Sequence, residues 1–425
     1  MHLLQLCPRV PFPLHDGGAI AMYELTRGLA QAGHRVTVLA ANTPKHHQPA
    51  DALAHLGPNV RLVTVDVDTT ASPLKALKNL LASDLPYTIE RFNSLALAEK
   101  LKQLIATEAV DLVQIEGTQV SWYAGWLRQH VAPEQLPPLV LRAHNLEYRI
   151  WELLARGERN PLTKWYLGKL AKRLKAFEQW QLPHYDALAA ITEADAARLR
   201  ALGQPGGPVT FIPAGVDLSR FQPSSQPVPY PPSPAQPQPK TLFMIGSLNW
   251  LPNQEGLAWL LREVWPAVHA ELPDLTLHVA GYGAPADLLA APPAGVVMHG
   301  FVESAPDFMR QHALMLVPLL SGGGMRVKII EGLALGKVIL STSLGAEGIA
   351  VHDGRDILLR DAPADWLAAI RAWHRGELDT AAIGAAATRT ATSIYDNRQV
   401  VRRFEDLYAH LARAAPAAAS PAPER

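Results

Sequence analysis

The sequence predicts an α/β fold made of two domains, each with a doubly wound parallel sheet. Short apolar runs alternate with helical patterns along both halves of the chain, which is the order produced by parallel strands covered by helices. Residues 223–239 carry eight prolines together with Ser and Gln, a composition that forms an extended spacer. The length of 425 residues and the 48% hydrophobic composition also favour two or three domains.

The elements follow in order from these patterns. In the first half, strands are expected at residues 3–6, 36–39, 60–65, 112–115, 139–143 and 188–191, with a helix at 19–31. In the second half, strands are expected at residues 242–245, 275–280, 296–298, 314–317 and 338–340, with helices at 254–269 and 325–335. The predicted domains are residues 1–217 and 241–392, joined by a linker at 218–240. They are followed by a helix at 393–413 that is expected to pack across the domains, and by a disordered tail at 414–425. Ligands of such sheets bind outside the carboxyl ends of the strands, so we expect a cleft between the two halves.

Charge and cysteine content restrict the class of protein. The 39 basic and 39 acidic residues balance, and no dense basic stripe with interleaved aromatics of the single-strand-binding kind is present, so nucleic acid is not an expected partner. Cys7 is the only cysteine, which excludes an intrachain disulfide and fits a reducing compartment. The start of the chain lacks the pattern of a signal peptide, and no apolar run approaches ~18 residues. We therefore expect a cytoplasmic protein, with a peripheral contact at the inner face of a membrane as a further expectation.

The helical pattern at residues 164–180 leaves two interpretations open. It mixes lysines and an arginine with aromatic residues, so the helix could lie on an anionic membrane surface. The alternative, which these residues favour, is an amphipathic domain helix with a solvated basic face.

The segment at residues 321–337, SGGGMRVKIIEGLALGK, is predicted to hold a phosphorylated ligand. Glycines at a strand-to-helix turn allow close approach of the backbone, and the helix N-terminus presents unpaired N–H groups to an anion. Arg326 and Lys328 oppose the helix dipole there, which favours a negatively charged partner. Glu331 lies ~4.5 Å further along the axis, where it could meet ribose hydroxyls. The alternative is a surface ion pair between Lys328 and Glu331.

Three other loops follow predicted strands. Residues 15–18, with Asp16, Gly17 and Gly18, could face the same cleft, or Asp16 could simply cap the helix. His144 follows the strand at 139–143 and could bond a sugar hydroxyl or a backbone carbonyl. Phe301 and Val302 follow another strand and could contact a nucleobase through their backbone.

The chain resembles retaining nucleotide-sugar glycosyltransferases of family 4, which have the GT-B fold of two Rossmann-like domains. The resemblance is carried by several segments in the same order along nearly the whole chain: DGGAIAMYELTRGLAQAGHRVTVLA, LRAHNLEY, ALAAITEADAARL, FIPAGVDLSRF, VAGYG, VVMHGFV and SGGGMRVKIIEGLALGKVILSTSLGAEGI. It implies that residues 1–217 form the acceptor-side domain and residues 241–392 the donor domain.

The resemblance also implies roles for single residues. Gly17 and Gly18 match the glycine loop near the diphosphate, His144 matches the histidine beside the transferred sugar, and Glu331 matches the glutamate that binds ribose. The chain departs from the family in two places. Gly323 stands where the first glutamate of the pair is expected, and Ser247 and Pro252, in the loop GSLNWLPN that begins at Gly246, stand where an Arg and a Lys are common.

Arg326 and Lys328 are therefore the expected diphosphate ligands, and both are expected to act in catalysis together with His144. The other expected donor contacts come from the backbones of Gly246, Ser247, Gly322, Gly323, Gly324, Phe301 and Val302.

The expected activity is transfer of a sugar from a nucleoside diphosphate to a hydroxyl of a glycan or lipid-linked glycan, with retention, as in polysaccharide biosynthesis. No cofactor and no metal are expected, because the two cations and the helix N-terminus supply the positive charge at the leaving group. The alternatives are a nucleotide-sugar epimerase, a dinucleotide-dependent oxidoreductase, which lacks its GxGxxG fingerprint here, or a non-catalytic nucleotide or glycan binder.

Overall fold

The structure is a computed structural model that describes residues 1–14, 16–221, 240–322 and 325–414. Most of the predicted proline-rich linker, the predicted tail after residue 414, His15, Gly323 and Gly324 lie outside the described residues. The described chain forms two compact units. The first contains Met1–Pro13, Met22–Pro213 and the chain from Val400 on, and the second contains Leu14–Ala21 and Ala214–Gln399.

The first unit is built on a seven-stranded parallel sheet. Its elements are β1 (His2–Cys7), α1 (Gly17–Gln31, whose first turn belongs to the second unit), β2 (Arg35–Asn42), β3 (Val60–Asp66), α2 (Pro73–Ala82), α3 (Tyr87–Glu90), α4 (Leu95–Thr107), β4 (Leu112–Glu116), α5 (Trp122–His130), β5 (Leu139–Ala143), α6 (Glu147–Gly157), α7 (Pro161–Gln181), β6 (Ala187–Ala190), α8 (Glu193–Leu202) and β7 (Val209–Phe211).

The strand order in this sheet is β3-β2-β1-β4-β5-β6-β7. Every residue of β1, β4 and β5 is buried, as expected for central strands of a parallel sheet covered on both faces. Cys7 is a free, buried thiol at the end of β1, as expected for a small core residue. The strand order reverses between β1 and β4, and this switch point is where α/β sheets bind ligands.

The second unit is built on a six-stranded parallel sheet. Its elements are β8 (Thr241–Ile245), α9 (Leu251–Trp259), α10 (Trp265–Glu271), β9 (Thr276–Ala280), α11 (Ala286–Ala290), β10 (Val296–Gly300), α12 (Ala305–Gln311), β11 (Leu314–Val317), α13 (Val327–Ala334), β12 (Val338–Ser341), β13 (Leu358–Leu359), α14 (Pro363–His374), α15 (Thr380–Thr390) and α16 (Asn397–Ala414), which continues into the first unit. The strand order is β10-β9-β8-β11-β12-β13, so the switch point lies between β8 and β11.

From Val400 onward, α16 packs on the first unit. Phe404 is fully buried beneath the Arg142 guanidinium, 5.5 Å from the ring centroid, and Tyr408 donates a hydrogen bond to Gln114. The last helix therefore completes the packing against the sheet of the first unit. In the described part of the chain, no helix is both long and apolar enough to cross a bilayer.

The prediction of a two-domain parallel α/β fold is confirmed, and one helix start was wrong. The helix predicted at 254–269 is confirmed as a continuous helical segment made of α9, a π-helical turn at Leu260–Val264 and α10. Pro266 accounts for the π-helical turn, because it has no N–H to donate and its ring would clash with the carbonyl four residues earlier. The helix predicted at 325–335 begins at Val327, so Arg326 is its N-cap residue rather than part of its first turn.

The strands β7 and β13 were not predicted. They contain three and two residues, and neither forms a continuous buried apolar run. Their pairing with β6 and β12 is a property of the sheet that the local pattern does not record.

Candidate functional site

The loops after β8, β9 and β10 are joined by backbone hydrogen bonds at the carboxyl edge of the second sheet. Gly246 N donates to Ala280 O at 3.1 Å, and Gly281 N donates to Gly300 O at 2.7 Å. The loop after β8 therefore starts from a fixed backbone beside the switch point.

Gly281 is needed for this approach of two loops. Its φ is +159°, and a Cβ at this position would lie 1.8 Å from the carbonyl oxygen of Gly246. A backbone oxygen cannot move aside as the end of a side chain can, so one of the two loops would have to shift.

We expect Gly281→Ala to lower the free energy of unfolding of the second unit by more than about 2 kcal/mol. Hydrogen exchange of the β8 and β9 amides would measure this locally. Gly354→Ala is the matched control, because Gly354 has a φ of +73° with no atom within 4 Å of the added Cβ. An equal loss in both variants would mean that backbone strain alone, without the clash, explains the effect.

Lys328 is held at the loop after β8 by a short chain of hydrogen bonds. Its Nζ donates to Asn253 Oδ1 at 2.8 Å, and Asn253 Nδ2 donates to Ser247 O at 2.8 Å. A Cβ on Gly246 would lie 2.7 Å from Nζ, so glycine leaves room for the ammonium group against the backbone. Burial, followed by the charge of Arg326, lowers the pKa of Lys328 to about 7, and the charge of Glu331 opposes this shift.

Arg326 is the second cation at this edge. It is buried, with its guanidinium carbon 5.4 Å from the centroid of the Trp250 ring. The same ring lies 3.1 Å from the Cβ position of Gly322, whose φ is +93°. Burial lowers the pKa of Arg326 to about 10, and the charge of Glu347 opposes this. Arg326, Trp250 and Gly322 thus form one packed group at the start of α13.

Glu331 lies on α13 one turn after Lys328 and is buried. Because Glu331 is buried and Lys328 donates to Asn253, the alternative of a surface ion pair between them does not fit the structure. The remaining predicted donor contacts, Phe301 and Val302, follow β10, and Phe301 is 59% exposed.

The structure thus brings Gly246, Ser247 and Lys328 together, and groups Gly322 with Arg326. Asn253 and Trp250 were not predicted, although both lie in the segment GSLNWLPN at the start of α9, where an amide and an indole stand among apolar residues.

In the first unit, His144 follows β5 and is fixed by a buried carboxylate. Its Nε2 is 2.6 Å from Glu116 Oε2, and Gln5 Nε2 donates to Glu116 Oε1 at 2.7 Å. Arg142 Nη1 lies 3.6 Å from the same carboxylate, and both groups are fully buried. Burial alone would raise the pKa of Glu116, but the charges of Arg142 and His144 hold it at about 2. The His144 imidazole therefore meets a permanent negative charge.

A second glutamate of the first unit fixes the chain that follows His144. Glu178 on α7 accepts hydrogen bonds from the backbone N of Glu147 at 2.9 Å and of Tyr148 at 3.2 Å, at the start of α6. Burial and the charge of Glu147 raise the pKa of Glu178 to about 8. Neither Glu116 nor Glu178 was predicted as part of a site.

Gly17 and Gly18 open α1. Asp16 Oδ1 accepts hydrogen bonds from the backbone N of Gly18 at 3.0 Å and of Ala19 at 3.1 Å. This is the helix cap that the sequence allowed, and it leaves the two glycines at the first turn of the helix.

Two glycosyltransferase family models match the two halves of the chain. A family model described as Glycosyltransferase Family 4 matches residues 15–220, and one described as Glycosyl transferases group 1 matches residues 239–375. An uncharacterized 44.6 kDa protein in the cps region of Klebsiella pneumoniae is 26% identical over 127 residues, which are 28% of this chain and 33% of that protein. The match thus spans about a third of the length of that curated relative.

Solved structures share the whole architecture. Sucrose-phosphate synthase from Thermosynechococcus elongatus is 18% identical with a TM-score of 0.70, covering 98% of this chain and 100% of that chain. Anabaena HepE in complex with UDP is 14% identical with a TM-score of 0.63, covering 96% and 100%. The pneumococcal O-GlcNAc transferase GtfA in complex with UDP and GlcNAc is 12% identical with a TM-score of 0.64, covering 97% and 99%. At these identities the likeness establishes the fold, which is GT-B.

Proposed function

Because this chain belongs to the group 1, family 4 glycosyltransferases, whose two models match its two halves, we propose that it transfers a sugar from a nucleoside diphosphate sugar to a hydroxyl acceptor. The observation that carries the proposal is the position of Lys328 and Arg326 at the switch point between β8 and β11, beside the glycine backbone at Gly246. A buried arginine and a half-buried lysine at a helix N-terminus suit a diphosphate.

The donor would bind with its diphosphate at Lys328, Arg326 and the first N–H groups of α13. As the bond to the sugar breaks, negative charge grows on the leaving diphosphate, and preorganised cations stabilise that charge without a metal. Glu331, one turn further along α13, would accept hydrogen bonds from ribose hydroxyls. The complexes of HepE and GtfA with UDP support a uridine nucleotide as the first donor to test.

His144 would contact the transferred sugar. Since Nε2 is engaged by Glu116, the sugar contact is assigned to Nδ1. We propose retention at the anomeric carbon, with the growing positive charge on the sugar met by donor phosphate oxygens. Such a mechanism needs no protein nucleophile, and Gly323 offers no side-chain carboxylate for one.

A panel of uridine and guanosine diphosphate sugars tests the proposal. We expect one donor to be hydrolysed slowly and to be transferred when a glycan or lipid-linked acceptor is added, with the anomer read by NMR. An isomerised nucleotide sugar with no released diphosphate would instead identify an epimerase. Binding without turnover of any donor would identify a non-catalytic binder.

We also propose that the protein binds its acceptor at a membrane surface. On α2, Leu74, Leu77 and Leu81 are 53–79% exposed, and on α7, Leu162 and Trp165 are 78% and 61% exposed. Arg173 of α7 ties the two helices together, donating to Asn79 Oδ1 at 3.0 Å and to Leu85 O at 2.8 Å.

Exposed lysines flank these apolar residues: Lys75, Lys78, Lys164, Lys169 and Lys172. Apolar side chains bordered by lysines suit the interface of an anionic bilayer. These residues support a peripheral membrane contact of the helix at 164–180 and extend the proposed contact to α2.

We expect the protein to float with vesicles that contain an anionic phospholipid and to float less with neutral vesicles, because each surface lysine adds about 1 kcal/mol at a negative bilayer. The double variant Leu77→Ser, Leu81→Ser should lose most of this binding. Leu289→Ser, which changes an exposed leucine of the second unit, is the control. Absence of flotation for the unchanged protein would contradict the membrane proposal and leave the donor proposal intact.

A further inference from the structure

Three histidines of the second unit converge on one face of its sheet. His278 lies on β9, His299 lies on β10, and His312 follows α12. His278 Nδ1 is 2.9 Å from His299 Nε2, and one ring nitrogen from each of the three residues lies within 4.8 Å of the others. None of the three belongs to the donor site described above, and we refer to them as the histidine cluster.

We propose that the histidine cluster binds one divalent transition-metal ion, for which zinc is the probe. Neutral imidazoles are the preferred ligands of zinc and its neighbours, and three of them with an open fourth position form a known coordination class. This site is separate from the proposed sugar transfer, and the inference does not depend on that function.

The separation between His278 Nδ1 and His299 Nε2 is close to that needed by such an ion. Two histidine nitrogens at ~2.0–2.1 Å from a tetrahedral zinc are about 3.3 Å apart. The separation of 2.9 Å between His278 and His299 is close to this value, and small side-chain rotations would open it. Because His299 is exposed, an ion can enter from solvent.

His312 provides the second observation. It is 6% exposed, and its Nδ1 lies 3.3 Å from Thr241 Oγ1, a contact that fixes the ring. Its Nε2 is buried, and it has no hydrogen-bond partner among the atoms of the described residues. A buried ring nitrogen without a partner is costly, and a metal ion would satisfy it.

A stack of neutral rings is the competing explanation. The rings of His278 and His312 are stacked with centroids 4.2 Å apart and an interplanar angle of 29°, and Phe308 packs edge-on against His312. Stacking accounts for this contact, but it gives His312 Nε2 no partner. The nearby ammonium of Lys337 donates to the backbone O of His312 at 2.6 Å, so it is directed at the main chain.

A bound ion would link β9, β10 and the chain that enters β11. His299 is followed directly by Gly300, Phe301 and Val302, the segment predicted to contact a nucleobase. The ion would therefore stiffen the end of β10 that leads into this segment.

Equilibrium dialysis of the tag-free, chelator-treated full chain against zinc tests the proposal, with metal counted per chain. We expect one ion per chain, a ligand-field spectrum with cobalt in place of zinc, and a higher Tm in zinc. His299→Ala and His278→Ala should each weaken binding by about tenfold or more, since even outer-shell changes cost 10- to 100-fold. His410→Ala, which removes an exposed histidine from α16, should bind as the unchanged protein does.

His299 is the exposed member of the cluster, so its replacement disturbs the core least and keeps the test valid if His278→Ala fails to fold. Zinc binding that is equal in His299→Ala and the unchanged protein would overturn the proposal. So would the absence of zinc binding by the unchanged protein, and the cluster would then be a ring stack only.

Discussion

Lys328→Met is expected to slow turnover of the donor by about 100- to 1,000-fold, the cost typical of removing one preorganised group at a developing charge. Methionine keeps the length and the apolar stem of lysine, so the variant removes the ammonium group and little else. Steady-state kinetics with the donor found in the nucleotide-sugar panel would measure the effect. Lys240→Met, at an exposed lysine of the same unit that donates to a backbone carbonyl, is the control.

The same ammonium group should make donor binding depend on pH. Because the pKa of Lys328 is about 7 in the protein without donor, the group is mostly neutral at about pH 8. A bound diphosphate stabilises the ammonium and raises this pKa, so binding above pH 7 takes up a proton. Donor affinity should therefore fall as pH rises from about 7 toward the pKa of the bound state.

Calorimetry in two buffers of different ionisation enthalpy would detect this proton. A nucleoside diphosphate sugar is a suitable ligand because each of its phosphates already carries its single charge, so the ligand itself does not exchange a proton with the buffer. At about pH 8 the apparent binding enthalpy should differ between the buffers for the unchanged protein and should not differ for Lys328→Met. Equal enthalpies for the unchanged protein would mean that binding takes up no proton at Lys328, which would contradict this prediction.

Most strands and the helix α13 could be predicted from sequence because both depend on local pattern. Buried parallel strands are continuous apolar runs, and the apolar residues of α13 recur with helical spacing. The π-helical turn at Leu260–Val264 could also be anticipated, since Pro266 stands inside the predicted helix. The apolar pattern is regular there and by itself indicates an ordinary α-helix.

The residues that hold the site are brought together by long-range contacts. Asn253 meets Lys328 across 75 residues of sequence, and Gln5 meets Glu116 across 111. One signal was nevertheless present in the first unit. Gln114 and Glu116 interrupt an otherwise apolar strand, and both are buried in β4. In the sheet, Gln5 pairs with Gln114 and Glu116 pairs with Arg142, so polar residues of three strands lie side by side.

Glu116→Gln is expected to lower the free energy of unfolding of the first unit by about 3–5 kcal/mol, the cost typical of removing one partner of a buried ion pair. Glutamine keeps the shape of the side chain, but the fully buried Arg142 loses this counter-charge. Hydrogen exchange of the β4 and β5 amides would report on this unit alone. Glu99→Gln, at an exposed glutamate of α4, controls for the loss of one surface charge.

The pH dependence of this effect has a definite sign. The pKa of Glu116 is about 2 in the folded protein, against an ordinary value of 4.5. Its contribution to stability is therefore complete above about pH 4.5 and is lost as pH falls toward 2, amounting to about 3 kcal/mol in all. The stability of Glu116→Gln should approach that of the unchanged protein over this acidic range. A constant difference between about pH 7 and about pH 3 would mean that the charge of Glu116 is not what stabilises the unit.

Kinetic measurements on Glu116→Gln distinguish the role of His144 from the role of Lys328 and Arg326. Glu116 fixes the His144 imidazole in the first unit, whereas Lys328 and Arg326 lie in the second. Glu116→Gln should therefore slow sugar transfer. Its affinity for the nucleoside diphosphate should stay within about twofold of that of the unchanged protein, because His144 does not contact the nucleotide in this proposal. Lys328→Met should slow sugar transfer and also weaken the affinity for the nucleoside diphosphate. If Glu116→Gln weakened nucleotide affinity as strongly as Lys328→Met does, His144 would have to be placed at the diphosphate instead of the transferred sugar.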